Sequence, residues 1–115
     1  MTRARVYTPD AGDIVWLDFS PQSGRETKDR HPALVMTPSR YSVATGLALV
    51  VPLTTKAKGG SFEVPVRGAR RAKGVILANE LRTVDFAARR AEKFDSCPED
   101  VLAEVRLIAE AIVRG

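Results

Sequence analysis

The chain has 115 residues, one cysteine and a formal net charge of +4 at pH 7. Hydrophobic residues make up 44% and charged residues 28%, which excludes the composition typical of disordered chains. A chain of this length buries one hydrophobic core, so we expect a single domain over residues 1–115. The excess of Lys and Arg favours polyanionic partners, although many proteins with such a charge only have a solvated basic surface.

The first half of the chain predicts two strands separated by a long loop. Alternating and continuous β-forming residues predict a strand over 13–19. Segment 20–30 contains Pro, Gly, Ser and many charges, which predicts an exposed loop of the length that is often functional. A second strand is predicted over 32–37, because Pro is tolerated at the start of a strand. Segment 38–46 is predicted to form a short helical turn or loop.

The middle of the chain predicts three further strands and the start of another. The apolar run over 47–54 is typical of a strand that is buried on both faces. A basic, Gly-rich linker follows, and strands are then predicted over 62–66 and 74–79. Segment 80–85 begins another strand or continues the preceding one.

The C-terminal segment predicts an amphipathic helix over 98–114, because its apolar residues recur with helical spacing. Six residues form the predicted apolar stripe: Val101, Leu102, Val105, Ile108, Ala109 and Ile112. Ser96 and Glu99 have the spacing of a capping box, and Pro98 suits the first turn. Short strands with one terminal helix predict a mainly β fold, a small partly closed barrel covered by that helix.

The cysteine and histidine content argues against several kinds of chemistry. One His and one Cys do not make a zinc site, and no Gly-rich phosphate-binding motif is present, so we expect neither metal nor cofactor. The lone Cys97 cannot form an internal disulfide, which favours a reducing, cytoplasmic location and a structural role for this thiol. The sequence shows no export signal and no apolar run of membrane-spanning length, so we expect no membrane association.

Candidate catalytic residues lie in two places, the loop before Pro32 and the end of the 47–54 strand. They are Arg25, Glu26, Lys28, Asp29, Arg30 and His31 in the loop, and Thr54 and Thr55 on the strand. RNA carries its own nucleophile, the 2′-hydroxyl, so its cleavage needs only proton transfer and stabilisation of the phosphate oxygens. Arg30, His31 and Thr54 fit these roles. The alternative is a solvated arginine, a structural histidine and an ordinary strand threonine.

The sequence resembles the MazF or PemK type of toxin from bacterial toxin-antitoxin systems. The matching stretches run in order over nearly the whole chain: YTPDAGDIVWLDFSPQSGRE, HPALVMTP, VVPLTTKAKGGSFEV, GVILANELRTVD and the C-terminal helix. The resemblance implies an SH3-like barrel of the CcdB/MazF/PemK type and a homodimer. It further implies a sequence-selective endoribonuclease that cleaves single-stranded mRNA, leaving a 2′,3′-cyclic phosphate and a 5′-hydroxyl. The implied partner is an antitoxin with an acidic, flexible C-terminal tail.

The resemblance also assigns roles to individual residues. Related toxins use an arginine directly before the proline of the second strand and a threonine at the end of the third. Thr54 matches that threonine, but His31 stands before Pro32 and Arg30 lies one residue earlier. Neighbouring strand residues face opposite sides, so either the chain bends to bring Arg30 into the site or His31 transfers the proton while Arg30 holds the phosphate. Glu26 matches an acidic residue of the family's loop.

Further residues are predicted to bind RNA or to support the fold. The candidate RNA-binding residues are Arg25, Lys28, Thr55, Lys56, Lys58 and Arg82. Arg82 and Asp85 are expected near the groove of the dimer, with an exposed salt bridge as the simpler interpretation. Trp16 is expected to pack in the core rather than to stack on a base.

Two other functions are compatible with this fold. A CcdB-like toxin binds DNA gyrase and cleaves nothing, and a basic SH3-like adaptor binds RNA or protein without chemistry. The loop acid together with Arg30, His31 and Thr54 favours the nuclease.

Overall fold

A computed structural model describes residues 7–18 and 30–115 of the chain. In these residues the elements follow in the order β1 (Asp13–Asp18), β2 (Arg30–Val35), α1 (Ser39–Thr45), β3 (Leu47–Thr54), β4 (Glu63–Pro65), β5 (Val75–Leu77), β6 (Arg82–Asp85), β7 (Glu92–Ser96) and α2 (Glu99–Arg114). The mainly β fold with a C-terminal helix is thereby confirmed. No helix in the described part of the chain has the length and apolar character needed to cross a membrane.

The strands form one antiparallel sheet around β3. The strand order is β4-β5-β3-β2-β1-β7, and β6 pairs with β3 outside this path. Strand β3 therefore pairs with β2, β5 and β6. Its two faces lie in separate cores, Val51 and Leu53 in one and Ala48 and Val50 in the other, which explains its apolar sequence. Its observed bounds are those predicted, and the predicted helical turn after β2 is the two-turn helix α1.

Strict alternation divides the core between the two faces of the curved sheet. On β1, Ile14 packs toward α2, whereas Val15 and Leu17 lie on the opposite face. The α2-side core also contains Leu34, Val51, Leu53, Val64, Ile76, Val101, Leu102 and Val105. The opposite core contains Ala33, Val35, Ala48, Val50, Val84 and Phe86. A sheet buried on both faces, with α2 over one of them, agrees with the predicted barrel.

Helix α2 covers the barrel through most of its predicted stripe. Four stripe residues are buried: Val101, Leu102, Val105 and Ala109. Ile112, however, is 43% exposed, because it lies in the last turn. The predicted capping box is wrong: Ser96 ends β7, Pro98 is the N-cap residue, and no side chain caps the helix. Glu99 and Asp100 lie in the first turn, where negative charge stabilises the helix dipole.

The strand boundaries differ from the prediction at two important places. Strand β2 begins at Arg30 rather than at residue 32, because Arg30 pairs with Asp18 across β1. Strand β7 was not predicted, since Phe94 is its only large apolar residue, and pairing with β1 holds it in the sheet. Residues 20–29 of the predicted loop lie outside the described residues.

Candidate active site

The structure describes most, but not all, of the predicted site residues. Arg25, Glu26, Lys28 and Asp29 lie outside the described residues. Arg30 and His31 are the first two residues of β2, and Thr54 is the last residue of β3. Strands β2 and β3 are paired neighbours, so both parts of the predicted site lie on adjacent strands.

The guanidinium of Arg30 is held on one face of the sheet by Asp18. Its Nη1 donates to Oδ1 of Asp18 at 2.6 Å, and its Nη2 donates to the carbonyl of Arg90 at 3.1 Å. A longer ion pair joins Nη2 to Oε1 of Glu92 at 3.4 Å. The Arg30 side chain is only 17% exposed, so most of its hydrogen-bonding capacity is used within the protein.

Asp18 is a buried carboxylate between two arginines. Its second oxygen, Oδ2, accepts from Nε of Arg90 at 2.6 Å. The hydrogen bond from Arg90 holds the pKa of Asp18 below its ordinary value, Arg30 acts in the same direction, and desolvation opposes both. Arg90 adopts a left-handed conformation with φ of 53°, which is costly for a residue with a side chain. We call Asp18, Arg30 and Arg90 the arginine clamp.

His31 occupies the face opposite the arginine clamp. It pairs with Leu17, which belongs to the core that also contains Ala33. The paired residues of β2 and β3 run from Val35 and Val50 to Ala33 and Pro52. Thr54 follows Leu53, which belongs to the α2-side core, so Thr54 and His31 lie on the same face of the sheet. Arg30, one residue away, is directed to the other face.

Thr54 has an oriented hydroxyl group at the edge of an open pocket. The backbone N–H of Lys56 donates to Thr54 Oγ1 at 3.0 Å, which leaves the hydroxyl hydrogen for another acceptor. The pocket has a volume of about 430 Å³ and is lined by Thr54, Lys56, Lys58, Ser61, Phe62 and Asn79, among others. It therefore combines a hydroxyl donor, two lysines, the carboxylates of Glu63 and Glu80 and an exposed aromatic ring.

The loop after β3 is fixed by a carboxylate that sequence reasoning missed. Glu63 accepts hydrogen bonds from the backbone N–H groups of Lys58, at 3.0 Å to Oε2, and of Gly59, at 3.0 Å to Oε1. The exposed Thr55 lies between Thr54 and this loop. A carboxylate at the start of β4 was recognisable in the sequence, but its contact with backbone groups was not.

The remaining candidates have mixed outcomes. Arg82 is exposed on β6 and pairs with Val50, which places it on the same sheet face as His31. Trp16 was predicted to pack in the core, but it is half-buried and stacks on Phe94, with ring centroids 4.6 Å apart. Burial raises the pKa of the Cys97 thiol to about 11, which fits a structural role. In residues 7–18 and 30–115 no three metal-ligating side chains cluster.

Sequence reasoning also missed the arginine clamp. Asp18 follows the apolar run of β1, where a carboxylate gives no sign of its partners. Arg90 follows β6 by several residues, and no sequence pattern links it to β1. Only the folded sheet brings these groups together.

The protein is a small basic β barrel in which a hydroxyl, an imidazole and two lysines lie at or next to the ends of paired strands. Such a combination is typical of proteins that act on a polyanion. Residues 10–112 match the family profile described as PemK-like, MazF-like toxin of type II toxin-antitoxin system. The chain belongs to this family.

Named relatives agree with the family assignment. The endoribonuclease toxin MazF of Escherichia coli strain K12 is 44% identical over 87 residues, covering 76% of this chain and 78% of the relative. The crystal structure of MazF (Form-I) from Deinococcus radiodurans has a TM-score of 0.84 and 44% identity, covering 96% of this chain and all of that one. A MazE-MazF crystal structure (Form-II) from the same organism has a TM-score of 0.83 and 42% identity, covering 94% and 97%.

These findings decide between the functions that the sequence left open. The resemblance to MazF and PemK toxins and the predicted SH3-like barrel of the CcdB/MazF type are confirmed. The prediction of an endoribonuclease toxin is confirmed as well, and the gyrase-binding alternative is not favoured.

Proposed function

We propose that this toxin cleaves single-stranded mRNA by attack of a 2′-hydroxyl on the neighbouring phosphorus. The bond from the 2′-oxygen to phosphorus forms, the bond to the 5′-oxygen breaks, and the products carry a 2′,3′-cyclic phosphate and a 5′-hydroxyl. The observation that carries the proposal is the position of His31 and Thr54 on one sheet face at adjacent strand ends. No cofactor takes part in these steps.

The proposed roles follow from the chemistry of each side chain. His31 accepts the proton of the attacking 2′-hydroxyl, since an imidazole transfers protons near neutral pH. The Thr54 hydroxyl donates to a phosphate oxygen while Lys56 N–H fixes its orientation. Arg30 is a positioning residue, because its guanidinium is bound to Asp18. Glu26 joins the site on the strength of the family resemblance, to protonate the departing 5′-oxygen.

RNA binding is assigned to the basic groups around the Thr54 pocket. Lys56 and Lys58 line that pocket, and its exposed Phe62 ring offers a surface for base stacking. Arg82 lies on the same sheet face, and Thr55, Arg25 and Lys28 complete the proposed surface. Because such contacts release counterions, affinity for RNA should fall steeply with added salt.

We also propose two protein partners and a location. The first is a second copy of this chain, since two small barrels make a longer groove for several nucleotides. The second is an antitoxin with an acidic, extended tail, which the net charge of +4 favours. Support comes from the MazE-MazF complex of Deinococcus radiodurans, whose toxin is 42% identical to this chain. We place the toxin in the cytoplasm, which its lone, buried thiol favours.

Cleavage of a labelled single-stranded RNA in the presence of EDTA tests the proposed reaction. We expect discrete fragments with 2′,3′-cyclic phosphate ends, and we expect Thr54→Ala to lose most of the activity while keeping RNA affinity. Thr83→Ala is the matched control, because Thr83 is exposed on β6 and pairs with Leu49. RNA that stays intact in EDTA, or Thr54→Ala that cleaves like Thr83→Ala, would contradict the proposal.

A further inference from the structure

Gly74, just before β5, lies directly against the backbone of Thr54. Its φ is 94°, and a Cβ atom at this position would be 2.2 Å from the Thr54 carbonyl oxygen. It would also be 2.8 Å from the Thr54 carbonyl carbon and 2.9 Å from Cα of Thr55. Cβ atoms essentially never approach other atoms within 3.0 Å, so only glycine fits without moving the end of β3.

The surroundings of Gly74 leave little room for relaxation. The next residue, Val75, pairs with Thr54, and the Gly74 carbonyl accepts from Val66 N–H at 3.1 Å. The conflicting atoms belong to the backbone, which cannot rotate away as a side chain can. Gly46 differs in this respect: its φ of 74° also disfavours a side chain, but a Cβ there meets no atom within 4 Å.

We propose that Gly74 is a positioning residue for catalysis, acting through Thr54. Because Gly74 has no side chain, the start of β5 can lie close to the end of β3. This close approach determines the position of the Thr54 backbone. The Thr54 hydroxyl moves with that backbone, because Val75, the residue after Gly74, pairs with Thr54. The inference rests on the proposed function, in which this hydroxyl donates to the phosphate.

Gly74→Ala and Gly46→Ala form the matched pair for the test. Both introduce a Cβ at positive φ, but only the first displaces Thr54. We expect single-turnover cleavage by Gly74→Ala to be slower by about 10- to 100-fold, the usual effect of a displacement of about 1 Å at a reacting group. Affinity for an RNA with a 2′-deoxy sugar at the cleavage site should change less than twofold, and Gly46→Ala should cleave like the parent.

The same substitution in a Thr54→Ala background separates positioning from general damage. If Gly74 acts through the Thr54 hydroxyl, Gly74→Ala should cause no further loss once that hydroxyl is gone. An equal loss in both backgrounds, or a folded Gly74→Ala that cleaves at the parent rate, would overturn the proposal. Parental cleavage by Thr54→Ala itself would instead overturn the proposed function.

Folding of the variants is followed by circular dichroism. Gly74→Asn serves as the second variant, because asparagine tolerates positive φ better than alanine and carries the same Cβ. If neither Gly74 variant folds at any temperature while Gly46→Ala does, Gly74 is required by the whole fold, and its assignment as a positioning residue of Thr54 fails.

Discussion

His31 and Arg30 are adjacent in the chain, yet the two-residue period of β2 directs them to opposite faces of the sheet. Arg30 is bound to Asp18, and His31 lies on the sheet face that also carries Thr54. We therefore expect His31→Ala to slow single-turnover cleavage by roughly 10² to 10⁴, the usual contribution of general acid-base catalysis.

Arg30→Ala is the matched comparison for His31→Ala. Because Arg30 is bound to Asp18, the variant should lower the free energy of unfolding and keep most of the single-turnover rate at a temperature where it is folded. A rate that is lost in folded Arg30→Ala and kept in His31→Ala would reverse the two assignments and return the phosphate-binding role to Arg30.

Asp18 gives a second prediction at the scale of single residues, on stability and pH. Its folded-state pKa is lowered, first by Arg90 and then by Arg30, so its contribution is present above the unfolded-state pKa of about 3.9. That contribution is lost as the pH falls through the lower folded-state value. Urea unfolding at pH 7 should show Asp18→Asn to be less stable by about 2 kcal/mol, the usual effect of losing hydrogen bonds to charged groups.

The difference between Asp18→Asn and the parent should shrink as the pH falls below about 4, where the parent carboxylate also becomes protonated. Glu104→Gln is the control, because the ion pair of Glu104 with Arg67 is exposed and its loss should affect the free energy of unfolding little. A stability difference that is the same at acidic and neutral pH would mean that the Asp18 charge does not stabilise the clamp.

The secondary-structure elements with strong hydrophobic periodicity were predictable from the sequence, whereas those that depend on pairing with another strand were not. The apolar run of β3 predicts the strand, and the helical stripe of α2 predicts the helix, because each element buries a continuous apolar surface. Strand β7 has one large apolar residue, Phe94, and exists because β1 offers it hydrogen bonds. Arg30 likewise enters β2 only through its pairing with Asp18.

For the candidate site, individual residues could be predicted from the sequence, but their positions relative to one another could not. Thr54 was identifiable as the polar end of a buried strand, and His31 as the lone imidazole before Pro32. Their common face could not be read from the sequence, since it depends on the register between β2 and β3. The contact of Gly74 with Thr54 joins positions 20 residues apart, and glycine gives no periodic signal that would reveal it.

The packing of α2 on the sheet gives a prediction at the scale of elements. Val105 is fully buried in the core between α2 and the sheet, so Val105→Ala should remove about 2 kcal/mol from the free energy of unfolding. Ala103→Ser, on the exposed side of the same helix, should cost less than about 0.5 kcal/mol. Chemical denaturation of both variants makes the comparison. Equal losses would show that α2 is not docked through Val105.

The whole molecule separates its structural and proposed catalytic surfaces. Helix α2 covers one face of the sheet, and His31 and Thr54 lie at strand ends on the opposite face. One barrel thus presents a short site with few contacts for a flexible RNA. The proposed site would extend to several nucleotides if a second copy lay beside it.

An apolar groove beside α2 offers a contact surface for that second copy. It has a volume of about 310 Å³ and is lined by Met36, Leu49, Leu81, Ala109 and Val113, together with four polar residues, Thr37, Arg106, Glu110 and Arg114. Val113 is 75% exposed, more than a large apolar side chain usually is. Burial of this groove between two copies would remove that exposed surface from water.

We therefore expect the toxin to sediment as a homodimer at micromolar concentrations and Val113→Asp to sediment as a monomer. A charge buried without a partner is strongly unfavourable, so the substitution should oppose association while leaving the barrel folded. Val43→Asp is the matched control, because Val43 is 76% exposed on α1 and does not line the groove. Analytical ultracentrifugation measures the oligomeric state, and circular dichroism shows whether each variant is folded. Titration with RNA should show weaker binding by the monomeric variant. If Val113→Asp still forms a dimer, the interface does not include this groove. If the parent is a monomer that cleaves RNA at full rate, cleavage does not require a dimer.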